Sequence, residues 1–309
     1  MNNPTKISYV FFGSSRFSVI ALDEMERAGL LPEIIVTTPD KPQGRKMIMT
    51  PNPVKEWALA RKISVYDTAK LDAEFVGALN KGIANTLSQA PLFVVASYGK
   101  IIPQTVLDIP KYGTLNIHPS LLPKYRGASP LQSAMLDDTK DTGVSIMVID
   151  VEMDHGPIIV QENVHIDEWP TYEEFEERMA KTGAKLLVKV LPEWVSGKIL
   201  ATSQNHIDAT FTKKIKKEDG LIDYSVIKSL ATASLADQYL AYRKIQAFHE
   251  WPQAYFQLDH NSKIIRVKIT EAQWSKATED GQVRLKIEKV IPEGSKEISF
   301  SDFLRGYIK

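Results

Sequence analysis

Cysteine is absent from all 309 residues. That excludes disulfides, thiolate nucleophiles and cysteine-ligated zinc, so any chemistry falls to oxygen and nitrogen groups. Net charge is absent too, 38 basic residues balancing 38 acidic ones, which leaves no chain-wide field to gather a polyanion. The chain has only 16 glycines. Neither the three-glycine dinucleotide turn nor the Walker lysine loop is among its motifs, and Gly13-Ser14-Ser15 resembles a nucleotide-binding turn only superficially. No apolar run approaches the roughly 20 residues that span a bilayer, and Met1 to Lys6 lack the charged-then-apolar pattern of a secretory signal. The expected location is the cytoplasm.

What is present is a rhythm of short apolar runs: Ile7 to Phe12, Ile34 to Thr37, Leu92 to Ala96, Thr114 to Ile117 and Val144 to Ile149. They are rich in β-branched residues and separated by helical patterns, which predicts a doubly wound α/β domain with a mostly parallel sheet. Tyr172, Phe175, Met179, Leu186, Leu187 and Val190 share one helical stripe within Thr171 to Trp194. Beyond a polar, irregular stretch come a helix near Ser225 to Arg243 and strands near Ile264 to Ile269, Val283 to Val290 and Glu297 to Phe300. The expected division is a first domain over 1–196, a linker over 197–210 and a small β-rich domain over 211–309. From Thr210 onward 17 Lys and Arg stand against 13 Asp and Glu, a surplus of four that suits either a solvated face or a polyanion-binding surface.

The densest chemistry lies in Asn116-Ile117-His118-Pro119-Ser120-Leu121-Leu122-Pro123. Along an extended strand Asn116 and His118 project to the same side, and the prolines force a loop beside them. In doubly wound sheets ligands sit at strand ends of this kind. A second polar turn, Asp150 to Pro157, follows the run Val144 to Ile149; if the two strands are neighbours, Asp154 is a partner for His118. A carboxylate 4 Å from an imidazolium contributes about 4 kcal/mol of attraction at an effective dielectric near 20. Asn, His and Asp without metal or nucleophile suit direct transfer of an acyl-type group to an amine, with Asn116 and His118 donating to the developing oxyanion. Each also has a structural alternative: a packed histidine, a turn-forming asparagine, an aspartate capping local backbone. No metal is expected, because His118, Asp154 and His155 lack a recognised ligand spacing. Pro39 to Pro53, with Lys41, Arg45 and Lys46, is expected to be a long exposed loop. Lys213, Lys214, Lys216 and Lys217 are either a charged linker or phosphate contacts.

At these residues the chain resembles the folate-dependent formyltransferase family: Asn-x-His, then Ser-Leu-Leu-Pro, then an Asp 36 positions after the His. Tyr98-Gly99, Tyr125-Arg126-Gly127, Thr142-Gly143-Val144 and Asp150 to Gly156 match as well. Asp40 to Arg45, Lys217 to Asp223, Trp251-Pro252 and Asp302 to Gly306 are similar to members that carry a C-terminal barrel of OB type and act on tRNA. The resemblance implies formyl transfer from 10-formyltetrahydrofolate to the amino group of methionine esterified to initiator tRNA, for translation initiation. It assigns catalysis to Asn116, His118 and Asp154, donor binding to Ser120, Leu121, Leu122, Pro123, Tyr98, Gly99 and Asp150, and tRNA contacts to Lys41, Arg45, Lys46, Lys213, Lys214, Lys216 and Lys217. A monomer, with no DNA or membrane partner, is implied. Departures are Arg45 to Met49, where many members are more basic, Pro119 in place of a glycine and Ser14-Ser15-Arg16 in place of Thr-Pro-Asp. The alternative acceptor is a small amine, such as a nucleotide-linked amino sugar.

Overall fold

The structure is a computed structural model that describes residues 7–43, 47–87, 91–230, 232–260, 262–276 and 283–308. The chain divides into two compact units: one of Met1–Pro130, Asp141–His165 and Glu176–Thr212, the other of Leu131–Lys140, Ile166–Phe175 and Lys213–Lys309.

The first unit is built on seven strands: β1 (Tyr9–Phe12), β2 (Ile34–Thr37), β3 (Ser64–Asp67), β4 (Leu92–Val95), β5 (Thr114–His118), β6 (Asp141–Val148) and β7 (Ile158–His165). Their order is β7-β6-β5-β4-β1-β2-β3, with β6 antiparallel to both of its neighbours, β5 and β7, and the other pairs parallel. The short runs β1, β2 and β4 are buried at every position, as strands covered on both faces must be. β3 sits at the edge with exposed ends, so its apolar signal is weak in the sequence. Val10, Phe12, Val36, Phe93, Val95 and Tyr98 form one face of the core, together with Phe75 and Leu79 of the helix over Ala73–Thr86. Chain order reverses between β1 and β4. Their following turns meet there, Ser14 Oγ donating to the Tyr98 carbonyl (3.1 Å) and Ser18 Oγ to that of Ala96 (2.6 Å).

The Pro39 to Pro53 segment is not a plain loop. Lys41–Gln43 pairs antiparallel with Ile48–Thr50 as a hairpin, and Asn52 caps a helix over Pro53–Ala60. Alternation is what the sequence reading lacked: Pro42 on an edge strand costs no ladder bond to a neighbour on its free side.

In the second unit β8 (Tyr255–His260), β9 (Lys263–Lys276), β10 (Val283–Pro292) and β11 (Ile298–Ser299) form an antiparallel sheet in that order. The helix expected over Ser225 to Arg243 is two helices, Tyr224–Lys228 and Leu235–Ala247, separated by a turn and restarted by Ser234, whose hydroxyl accepts the Asp237 N–H. Glu297 to Phe300 is only a two-residue strand, because Ser299 caps a further helix, Phe300–Tyr307.

Candidate active site

β5 presents alternate residues to opposite faces. Ile117 faces the helix Tyr172–Val195, and a Cβ on Gly183 of that helix would collide with Ile117 and come within 2.9 Å of Val144. Asn116 and His118 face the other way, in register with Val95 of β4 and Ser145 of β6. The apolar face of the sheet ends where this polar pair begins. His118 is only 4% exposed.

Because β6 runs antiparallel to β5, the chain leaves it at the wrong end, beside Thr114, whose carbonyl accepts the Ile149 N–H (2.8 Å). The next turn therefore doubles back over β5. Gly156 permits this, since a Cβ there would collide with the Val148 carbonyl oxygen. Asp154 takes up left-handed backbone at φ 51° and reaches the strand pair. Its Oδ1 lies 3.5 Å from both Asn116 Nδ2 and His118 Nδ1, while its Oδ2 accepts the Gly127 N–H (2.7 Å). His118 Nε2 is 3.0 Å from the Tyr125 carbonyl oxygen. A carbonyl only accepts, so Nε2 carries the hydrogen and Nδ1 is the nitrogen that faces Asp154.

The loop after β5 is held from beneath. Ser145 Oγ donates to the Ser120 carbonyl (2.6 Å) and accepts the Leu122 N–H (3.0 Å), and Gln161 Nε2 donates to the Leu122 carbonyl (2.9 Å). Ser120 is buried with its hydroxyl donating to the Lys124 carbonyl (2.6 Å), and Leu122 is buried too. Leu121 and Pro123 remain half-buried, Leu121 lying over Gly143, where a Cβ would meet it. Tyr98 is buried against Phe12 (ring centroids 5.5 Å apart); burial pushes its hydroxyl up to about 12, and among the described residues that oxygen has no hydrogen-bond partner. A Cβ on Gly99, at φ 75°, would find nothing within 4 Å. Open space therefore adjoins the end of β4. Both oxygens of Asp150 are engaged inside the turn, by the Glu152 N–H (3.0 Å) and by His155 Nδ1 (2.7 Å).

Of the cationic candidates, Lys41 is exposed on its hairpin, and Lys213, Lys214, Lys216 and Lys217 are all exposed at the start of the second unit. Arg45 and Lys46 lie outside the described residues. Among the described residues no cluster of three or more His, Asp or Glu side chains could hold a metal, and no helix is long and apolar enough to cross a membrane. Arg126, Gln204 and His206, which the sequence did not single out for any role, also stand at the site. Only Arg126 carried a signal, as part of the Tyr125-Arg126-Gly127 motif.

A mostly parallel sheet with an Asn, His and Asp converging at β5, one strand from its reversal point, is the setting of a group-transfer enzyme. The chain belongs to the formyl transferase family, whose model it matches over residues 6–191. Across the whole length its similarity is narrower: it is 35% identical to the methionyl-tRNA formyltransferase of Sulfurihydrogenibium sp. (strain YO3AOP1), covering 96% of each chain. Among solved structures it is similar in fold to methionyl-tRNA formyltransferase from Clostridium thermocellum, with a TM-score of 0.56, 16% identity and coverage of 92% of this chain and 99% of that one. It is as similar to WlaRD, a sugar 3N-formyl transferase solved with dTDP and 5-N-formyl-THF (TM-score 0.59, 16% identity, 94% and 99% covered). Fold alone therefore does not choose the acceptor.

Proposed function

We propose that the protein transfers the formyl group of 10-formyltetrahydrofolate to the amino group of methionyl initiator tRNA, acting as a single chain in the cytoplasm. The observation that carries this reading is the convergence of Asn116 Nδ2 and His118 Nδ1 on one oxygen of Asp154, at 3.5 Å each. The acceptor rests on identity that extends over 96% of the chain, C-terminal sheet included. Open space at Gly99 and the half-buried Leu121 and Pro123 fit a flat donor head beside the trio.

The donor supplies a formyl group on nitrogen and a stable amine as leaving group. As the acceptor nitrogen bonds to the formyl carbon, negative charge develops on the formyl oxygen. A separation of 3.5 Å is too long for a strong bond to Asp154, so the Asn116 amide N–H is free to turn to that oxygen, contributing about 3 to 4 kcal/mol, and His118 Nδ1 donates there once it holds a proton. His118 Nδ1, directly or through a water, accepts the proton released by the attacking nitrogen, and the Asp154 carboxylate stabilises the imidazolium that forms. The carbon–nitrogen bond to the donor then breaks, and the departing nitrogen regains one proton. Lys41, Arg45 and Lys46 with Lys213, Lys214, Lys216 and Lys217 are proposed to meet tRNA phosphates, which attract lysine and arginine without reading sequence.

The test is an acceptor assay in which charged initiator methionyl-tRNA and nucleotide-linked amino sugars compete for one pool of 10-formyltetrahydrofolate. Formyl-methionyl-tRNA is the expected product; formylated sugar alone would transfer the assignment to the small-amine acceptor. His118→Ala is expected to lower kcat by about 10²–10³ with far less effect on tRNA affinity. Unchanged kcat would remove His118 from the chemistry.

A further inference from the structure

Gln204 lies in the stretch expected to be a plain linker, yet it is 6% exposed and every hydrogen-bonding position of its amide is filled. Nε2 donates to the carbonyl oxygens of Asp154 (2.9 Å) and Gly156 (2.7 Å); Oε1 accepts from Arg126 Nε (3.1 Å) and Nη2 (2.7 Å). Carbonyls only accept and a guanidinium only donates, so the orientation of the amide has no alternative. Arg126 is itself buried, and among the described residues it makes no ion pair with a carboxylate. Among the described residues its guanidinium also donates to His206 Nδ1 (2.8 Å), which must therefore accept. The His206 ring stacks on His155 (centroids 4.1 Å apart, planes 6° from parallel), and His155 Nδ1 is held by Asp150. The turn from Asp150 to Gly156 is thus tied down at both ends through one guanidinium. Burying a charge among neutral partners is unfavourable for folding, and such local costs cluster where function demands a fixed geometry.

We propose that Gln204, gripped by Arg126, is a positioning residue for the transfer: it holds the turn that presents Asp154 to Asn116 and His118 and touches no reacting atom. The inference rests on the role given to Asp154 above. It makes the polar stretch around Gln204, within the first unit, part of the catalytic geometry.

Gln204→Glu tests it, because the acid keeps the Arg126 contacts while setting an oxygen against the two carbonyls that Nε2 now serves. Gln204→Ala, which removes both sets of contacts, is the second variant. Amide hydrogen exchange in peptides covering 150–157 should quicken in both, whatever reaction the enzyme performs. In the formylation assay kcat should fall by on the order of 10², the penalty of an ångström-scale misplacement, with KM for donor and tRNA within about threefold of the parent. In an Asp154→Asn background the same Gln204 changes should lower kcat by less than about threefold, since the group they position is already lost. Unchanged exchange in the turn, unchanged kcat, or an equal loss in both backgrounds would overturn the proposal. Failure of the unaltered enzyme to formylate any amine would instead overturn the formyl-transfer reading, with the exchange arm still reporting on the clamp.

Discussion

Replacing Asp154 with asparagine probes the site with least change of shape. Its two oxygens serve different partners: Oδ2 takes the Gly127 N–H at 2.7 Å, and Oδ1 faces Asn116 and His118 at 3.5 Å. An amide cannot satisfy both. With its oxygen on Gly127 it sets an NH₂ against the Asn116 NH₂ and offers His118 no negative charge; flipped, it sets that NH₂ against the Gly127 N–H. In the proposed transfer His118 gains positive charge in the transition state, and a carboxylate 3.5 Å away attracts it by about 5 kcal/mol at an effective dielectric near 20. Part of that attraction offsets the desolvation of a carboxylate that is 16% exposed. Taking roughly half as the net loss, ~3 kcal/mol, gives a fall in kcat of about 10²-fold. Single-turnover transfer to saturating charged tRNA isolates this step from product release. An Asp154→Asn enzyme within about threefold of the parent rate would refute the reasoning, as would a loss confined to KM.

Two further outcomes follow from the second unit. Lys213→Glu with Lys214→Glu should weaken tRNA binding and flatten the dependence of log K on log salt by roughly one unit per lost phosphate contact; an unaltered slope would return those lysines to a solvated face. Asp138 is pushed up by burial, but hydrogen bonds from Trp169 Nε1 (2.7 Å) and the Tyr239 hydroxyl (2.9 Å), with the charges of Arg243 and Lys140, outweigh this and lower its pKa overall. A depressed carboxylate stabilises the fold fully above its unfolded value, near 4, and loses that contribution as pH falls through the folded value. Asp138→Asn should therefore melt earlier than the parent at pH 7 with the gap closing in acid, and a gap constant down to pH 3 would argue against it.

Legibility of the chain followed burial and local periodicity. β1, β2 and β4 stood out because strands covered on both faces leave unbroken apolar runs, whereas β3, exposed at both ends, left none. The hairpin of Lys41–Gln43 and Ile48–Thr50 was hidden because its pairing owes nothing to an apolar face: Met47, Ile48 and Met49 are all exposed. The break between Tyr224–Lys228 and Leu235–Ala247 turned on a cap at Ser234, one serine among several in that stretch. At the site, the spacing of Asn116 and His118 on one face was readable from strand alternation alone. The antiparallel course of β6 was not, and with it went the sharp return of the Asp150 to Gly156 turn.

The order of residues alone determined the two-residue rhythm that puts an amide and an imidazole on one side of β5, and the absence of any thiol to compete with them. Both are local properties, set by backbone geometry and composition. Only the tertiary fold decided that Asp154 would meet that pair, that Gly127 would hold its second oxygen, and that Gln204, 50 positions further on and itself held by Arg126, would grip its backbone. Those contacts join side chains and carbonyls far apart in sequence, and no periodicity records them because each depends on where a turn returns in space.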